Sequence, residues 1–464
     1  MTAPLYTAAM LSTVPNAPVQ LPNDPGTSHA YRLLDELGIA VRAPKTSDDT
    51  LGCWARSGAM WLTGDRQPLE ILSPLASSAR GALLALQSLS PLLQKTFPAT
   101  FSPECLLGER AAIAGYRRNG SRNCGNSSEL LSTRNGVVAL NLPRPEDWEQ
   151  LPALLSRGTA ANWPQENNWA QLGQCLAQQN TEDLLELGQL LGIAVANAAN
   201  PEPPASWLKH LHPSVACPPS QPPLVVDLSA LWAGPLCGSL LSMTGARVIK
   251  VESRNRPDGA RLGPQPFFDL LNGGKSSLAL DLPNDAGILQ ALLQQADIVI
   301  ESSRPRALRQ LGIDAAQLLH QKPGMIWTSI TGYGRDRELA IAYGDDAGVA
   351  AGLSKELFEL TGRYLFCGDA IADPLTGLHA AIATYALWLQ GKGGLLDISL
   401  CAVTQHCRQH PTEPTSAERA EARQRVPTAP RIEAAAPRAR KPTTAAKALG
   451  ADNRQLHQEL NLSC

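Results

Sequence analysis

Between residues 224 and 335, short aliphatic runs alternate with segments of helix length, and this alternation constrains the fold more than any other feature of the chain. LVVDL (224–228), RVIKVE (247–252), Ser277–Leu282, DIVIES (297–302) and MIWTSITGYG (325–334) have strand length and β-branched character. Between the first two, Gly234-Pro235 opens a helix that runs to about Met243 and ends at Gly245. Further helices are expected at 286–295 and 314–320. Strand–helix–strand succession implies right-handed crossovers and a parallel sheet, so the expectation is an α/β fold. Residues 346–390 return to Ala/Leu/Gly-rich helix, and LLDISL (395–400) reads as one more strand.

The flanks differ in composition. Residues 1–30 read as an extended lead-in. Residues 31–200 read as a mostly helical half with one strand at Gly136–Leu142. PEPP, CPPS and QPP crowd 201–223, and proline disfavours both helix and central strand, so a joint is expected there. The main α/β domain is expected over 224–407. The stretch 408–447 is rich in Pro, Ala and Arg and reads as an exposed linker. A short helix closes the chain within 448–464. An internal echo links SGAMWLTG (57–64) with AGLSKELFELTG (351–362). Each is followed by a Pro-Leu step into an Ala-rich helix, with Ser73 in the first copy where Asp373 stands in the second.

Several function classes are disfavoured. The 464 residues carry 40 Lys+Arg and 42 Asp+Glu, a net charge of -2, which gives no electrostatic reason to expect nucleic acid or an anionic membrane. No apolar stretch reaches 18 residues, and the N-terminus lacks a signal-peptide pattern, so a cytoplasmic protein is expected. The ten cysteines form no C-x-x-C pair, which argues against a zinc framework or disulfides. His406 and His410 have H-x-x-x-H spacing but lack the Glu of H-E-x-x-H, so no metal site is expected.

Certain residues invite chemistry. Ala233-Gly234-Pro235 sits at a strand-to-helix turn, where glycine lets a ligand approach and the helix N-terminus offers N–H groups to an anion. An ordinary βα turn is the plain alternative. Glu252 ends the second strand, where an acid can bond a ribose, but no G-x-G-x-x-G is present and NAD fits poorly. Ser302, Ser303 and Arg304 end the fourth strand, the edge where open parallel sheets bind ligands. The adjacent acids Asp345 and Asp346 fit a helix cap with a solvated neighbour, or a polar role at a site. Asp373 precedes Pro374 and fits a helix N-cap, or a nucleophile. His379, on an Ala-rich helix, fits a packing role.

The motif series resembles the class III CoA-transferases, the formyl-CoA and carnitine-type group. It comprises VVDLSALWAGPLCGSLLSMTGARVIKVE (225–252), NGGKSSLALDL (272–282), ADIVIESSRP (296–305), ITGYG (330–334) and IADPLTGLHAA (371–381). LLSTRNGVVALNLPRPEDW (130–148) is similar to the family's small-domain stretch, so the chain reads as a fused or rearranged two-half member with a degenerate first half. The resemblance implies a Rossmann-like CoA-binding domain with CoA contacts at Leu231, Trp232, Ala233, Gly234, Arg254, Leu280, Ser302, Ser303 and Arg304. It implies Asp373 as catalytic nucleophile, with Asp345 near it and oxyanion donors at Thr376-Gly377. It implies coenzyme A and acyl-CoA as substrates rather than as a resident cofactor, a small carboxylic acid as the other partner, and a homodimer or an internally paired monomer. Ser302-Ser303 replaces the family's Asn-Phe, Ser253-Arg254 replaces an Arg pair, and Gly344 stands where the racemase branch has histidine. CGNSS (124–128) is the nearest counterpart of the family's glycine-run loop. Three readings follow: an acyl-CoA:carboxylate CoA-transferase, an acyl-CoA racemase or isomerase, and a degraded CoA-binding protein.

Overall fold

The computed structural model describes residues 17–43, 49–97, 101–155, 164–409, 414–427 and 430–462. Ten strands form two sheets. β1 (Ser128–Ser132), β2 (Val137–Asn141) and β3 (Ala194–Asn197) make a small antiparallel sheet. β4 (Leu208–Val215), β5 (Leu224–Asp227), β6 (Arg247–Ser253), β7 (Ser276–Leu280), β8 (Ile298–Glu301), β9 (Ile326–Thr331) and β10 (Lys392–Ser399) make the large one. Its order is β4-β10-β9-β8-β5-β6-β7, parallel except where β4 meets β10. The α/β architecture expected from the alternation is present, and helix 286–295 has the expected bounds.

The joint expected at 201–223 contains β4, which the proline content concealed. β4 lies at the sheet edge, and its register against β10 shifts between Gly393 and Leu395. Opposite that shift stand His212, in the left-handed region at φ 49°, and Pro213. Proline is tolerated in a strand at edges and bulges, and this position is both.

The stretch expected as a linker is also more ordered than its composition implies. Ser416–Arg425 is a helix capped by Thr415 and Glu418. Beyond it the chain runs as an extended strap tied by specific bonds. Ala435 N donates to Ala55 O, the Arg440 backbone and guanidinium both bond Glu109, and Ala446 N donates to Asp269 Oδ1. Polar anchoring replaces the apolar burial that the composition lacks. In the C-terminal helix, Asn453 bonds both the N–H and the C=O of Ala279, which satisfies the open edge of β7.

One helix organises the core. Ala372–Leu389 is buried on nearly every side, as its all-round Ala/Leu/Thr composition dictates. It packs against the N-terminal helix Leu75–Leu89 and against Ala233–Met243. Gly377 permits the second contact, because a Cβ there would stand 2.7 Å from Ala233 O. The glycine of the D-x-x-T-G motif is therefore explained by helix crossing. The two halves of the internal echo, Ser73 and Asp373, open the two helices that pack together.

Candidate active site

Four charged side chains converge at the head of helix 372–389. Asp369 and Asp373 sit on a tight turn that Gly368 (φ 69°) enters and in which Ala370 (φ 43°) also lies in the left-handed region. A non-glycine residue held there is strained, and such strain concentrates at functional sites. Asp345 stands on the helix Gly344–Ala350. Its carboxylate accepts from Ala370 N at 2.8 Å and from Asn123 Nδ2 at 2.7 Å. Arg110, on the helix Glu109–Ala114, grips Asp369 in bidentate fashion at 3.0 and 2.5 Å. Its guanidinium also lies 5.2 Å from the ring centroid of Trp232.

The electrostatics follow from three acids sharing one cation. Burial works against the charge on Arg110, but Asp369, Asp345 and Asp373 outweigh it and hold the guanidinium firmly protonated. Burial pushes Asp373 up to about 7. Arg110 opposes that shift, Asp345 and Asp369 add to it, and a hydrogen bond from the Gly344 amide again favours the anion. Asp345 is raised for the same leading reason. A fully ionised Asp373 at neutral pH, the value for an unperturbed carboxylate, is therefore not what its surroundings give.

Gly344 is dictated by this geometry. A Cβ there would stand 2.3 Å from Asp373 Oδ2 and 2.4 Å from Ala370 O. With this backbone no side chain, histidine included, fits at 344. Thr376 and Gly377 lie in the second turn of the helix, and Thr376 Oγ1 bonds Ala372 O, so neither stands at the helix mouth as expected for an oxyanion donor. Ser73 belongs to a different cluster: Ser73 Oγ and N, with Leu72 N, all donate to Glu356.

The turn before helix 233–243 is held from below by buried charges. Lys275 Nζ reaches Asp227 Oδ2 at 2.8 Å and Pro235 O at 2.9 Å, and Lys250 Nζ reaches Ser229 O at 2.8 Å. Above them Leu231 is exposed at φ 69°, with its N–H on Asp258 Oδ1. Trp232 and Ala233 are buried. Gly234 sits against Ser229, 2.2 Å from where a Cβ would be. Ser302 Oγ accepts from Ala230 N, tying the end of β8 to this turn, and the buried Ser303 Oγ has no hydrogen-bond partner among the described residues. Leu280 is buried at the end of β7, where its carbonyl accepts from Arg254 N. Glu252 is occupied by Arg261 and by Asp258 N.

A pocket of about 370 Å³ lies beside that edge, with Arg144, Arg256 and Arg304 on its wall and Glu146 as its only acid. Arg304 lies over Gly192, whose missing side chain leaves it room. Burial and the neighbouring Arg306, Arg144 and Arg256 lower its pKa, the mark of a cation crowded by cations. Arg254 is exposed and lies outside this pocket. Tyr343 feels both Arg144 and Arg304, and its neighbour Gly344 bonds Asp373, so the basic pocket and the carboxylate cluster are linked through two consecutive residues.

Residues 223–438 match the family model of CoA-transferase family III. This stretch belongs to CoA-transferase family III. Over it the chain is 31% identical across 211 residues to the succinate–glutarate CoA-transferase of Agrobacterium fabrum, covering 40% of this chain and 53% of that protein. It is 32% identical across 183 residues to a formyl-CoA:oxalate CoA-transferase of Rhodopseudomonas palustris, covering 36% and 43%. Among solved structures, a CAIB/BAIF family protein from Brucella suis aligns at 31% identity and a TM-score of 0.36, covering 40% of this chain and 53% of that one. The chain spans about half the length of the curated relatives it matches. The family III stretch supplies Asp345, Asp369 and Asp373. Arg110 and Asn123 lie outside it, and reading the sequence missed both, as well as Asp369. An i, i+4 acid pair at 369 and 373 was a usable signal. Arg110 has no local signal, because its partner lies 259 residues away.

Proposed function

We propose that the protein transfers coenzyme A from an acyl-CoA donor to a small carboxylic acid, with Asp373 as the covalent nucleophile. The observation that carries this reading is Asp373 itself. It is a partly exposed carboxylate at a strained helix mouth, bonded to one backbone amide and balanced by Arg110, on the motif that the family resemblance assigns to the nucleophile.

The chemistry balances without a cofactor. The Asp373 carboxylate attacks the thioester carbonyl, the C–S bond breaks and CoA thiolate departs, leaving a mixed anhydride. The thiolate attacks the aspartyl carbonyl and releases the donor's acyl group as its free acid, giving an aspartyl-CoA thioester. An acceptor carboxylate then runs the two steps in reverse and restores Asp373. Covalent catalysis of this kind splits one difficult transfer into easier ones. In this reading Arg110 and the Gly344 amide, which both act on the Asp373 carboxylate, also serve the anionic oxygens that develop beside it, and donors fixed in a partly buried site stabilise such charge effectively. Arg144, Arg256 and Arg304 supply the cationic surface for the phosphates of CoA. No helix among the described residues is long and apolar enough to cross a membrane.

The racemase reading lacks the histidine of that branch, because the backbone leaves no room for a side chain at 344, and would have to rest on Asp345 and Asp373 as its acid/base pair. Hydroxylamine added during turnover with acyl-CoA should trap a hydroxamate on the peptide containing Asp373. Asp373→Ala should abolish transfer while leaving CoA binding intact. Turnover with that peptide unmodified would refute the nucleophile; CoA binding without any turnover would favour a binding protein.

A further inference from the structure

Three imidazoles meet in the core on three different helices: His29 on Thr27–Glu36, His379 on Ala372–Leu389 and His406 on Leu400–Cys407. All three are buried, and one ring nitrogen from each lies within 4.8 Å of the others. His29 Nε2 and His379 Nε2 are 2.9 Å apart, and Cys407 Sγ lies 3.6 Å from the same His379 nitrogen. His406 is only 5% exposed, yet its buried Nε2 has no hydrogen-bond partner among the described residues, and Glu36 Oε2 stands 3.7 Å away. A buried polar atom left unsatisfied is costly, so packing alone does not account for His406. We propose that His29, His379, His406 and Cys407 form a closed, structural Zn²⁺ site that ties the N-terminal helix to the helix bearing Asp373.

The donor set suits the ion. Zinc favours nitrogen and sulfur ligands in a tetrahedron, and structural sites fill all four positions with protein. With Zn–N of about 2.0–2.1 Å and Zn–S of about 2.3 Å, ligand atoms stand about 3.3 Å (N to N) and about 3.5 Å (N to S) apart. The Cys407–His379 separation fits, the His29–His379 pair needs to open by about 0.4 Å to reach the spacing of two zinc ligands, and Cys407 Sγ, which lies outside the 4.8 Å group of the three imidazoles, must close toward the other two.

The surroundings fit as well. His379 Nδ1 donates to Leu375 O at 2.7 Å, which leaves its Nε2 lone pair facing the cluster. Trp207 packs edge-on or tilted against His379 and His406 at 5.5 and 5.4 Å, and its indole N–H holds Glu36 at 2.7 Å. Burial keeps the imidazoles neutral, with His379 pushed down to about 4 and His406 to about 2. Burial also keeps the free Cys407 thiol protonated, so metal binding releases that proton as the S–Zn bond forms. One contact opposes the ion. Arg32 Nη2 lies 2.9 Å from His29 Nδ1, and a His29 that ligates through Nε2 carries its proton on Nδ1. The guanidinium must then turn to its other acceptors, His406 O and Gln409 Oε1. Arg32 is therefore a competitor of the metal.

His410, which the sequence pairs with His406, lies outside the described residues. The partners that the fold brings to His406 are His29 and His379, and no sequence spacing connects them. His379 follows Asp373 by six residues on one helix, roughly 9 Å along its axis, so an ion here would anchor the nucleophile's helix from its far side.

The test uses the full chain, with zinc measured by elemental analysis and Co²⁺ as a spectroscopic probe. Wild type should retain about one zinc per chain after dialysis. Its Co²⁺ form should show intense visible bands of four-coordination and a near-ultraviolet thiolate band. Cys407→Ser should lose the thiolate band and keep visible absorption. His406→Gln should lose most of the zinc. Arg32→Met should bind zinc at least a few-fold more tightly, and it provides a readout that survives if His406→Gln fails to fold. Wild type that takes up neither metal, or uptake equal in wild type and Cys407→Ser with no thiolate band in either, would overturn the site.

Discussion

Gly344→Ala tests the proposed nucleophile with a single methyl group. Its Cβ would meet Asp373 Oδ2 at 2.3 Å, Ala370 O at 2.4 Å and Ala370 C at 2.7 Å. Non-bonded heavy atoms settle near about 3.5 Å, so about 1 Å of movement is required. Two of the three atoms are backbone, and the Ala370 amide is held by Asp345. The Asp373 carboxylate is the part free to give way. A misplacement of about 1 Å in a reacting group costs about 100-fold in rate, and overpacking a buried site costs about 1–3 kcal/mol. Gly348→Ala on the same helix is the control, because its Cβ would meet Leu353 and Ile371 at 3.4 and 3.6 Å, ordinary contact distances. Transfer is assayed by chromatography of the CoA thioesters formed from a panel of acyl-CoA donors and free acids, and folding by urea titration. Gly344→Ala should lose about two orders of magnitude in turnover with acyl-CoA binding kept, and Gly348→Ala should stay within a few-fold of wild type. Wild-type turnover in a folded Gly344→Ala protein would refute the placement of Asp373 at the reacting carbon.

In the proposed reaction Asp373 attacks as the anion, and with its pKa at about 7 the ionised fraction grows from about a tenth at pH 6 to about nine tenths at pH 8. Turnover should therefore rise about tenfold across that window and level off above it; a flat profile from pH 5 to 8 would contradict the assignment. Arg110→Met removes the cation that favours the anion, so the same limb should move to higher pH, and a limb that stays in place or moves down would show that Arg110 does not face Asp373. Ser73→Ala removes one of three donors to Glu356 and should cost about 1 kcal/mol in urea titration with turnover within a few-fold. A loss matching that of Asp373→Ala would place chemistry in the first copy of the echo. Lys275→Met strands the buried Asp227 and should cost about 3–5 kcal/mol, read as the unfolding midpoint; an unchanged midpoint would mean that the buried pair does not support the turn above it.

Legibility followed sequence distance. The strands from Leu224 to Thr331 were readable because each is a local aliphatic run between helices, and Asp373 was readable because its motif is contiguous. β4 was not, since its Pro213 sits at an edge bulge and reads in sequence as a strand breaker. The strap after Arg425 was not, since its order comes from side chains such as Glu109 and Asp269 that lie far away in the chain. In sequence the glycine at 344 reads only as a missing histidine. Its physical cause, the Asp373 carboxylate pressed against it, appears only when residues 344 and 373 share a wall.

The same distance argument decides what the first 200 residues contribute. The family III stretch brings Asp345, Asp369 and Asp373 together on its own, and burial first, then the charges of Asp345 and Asp369, raise Asp373 to about 7. The cation that offsets this is Arg110, and the amide that fixes Asp345 belongs to Asn123, both outside the stretch. Remove them and the same three carboxylates remain without their counter-charge. The N-terminal half is thus part of the site's electrostatics, although its own counterpart of the nucleophile, Ser73, is committed to Glu356. In this chain Asp373 and the cation that favours its ionised form come from inside and outside the family III stretch, and the packing of 75–89 on 372–389 is among the contacts that join the two parts.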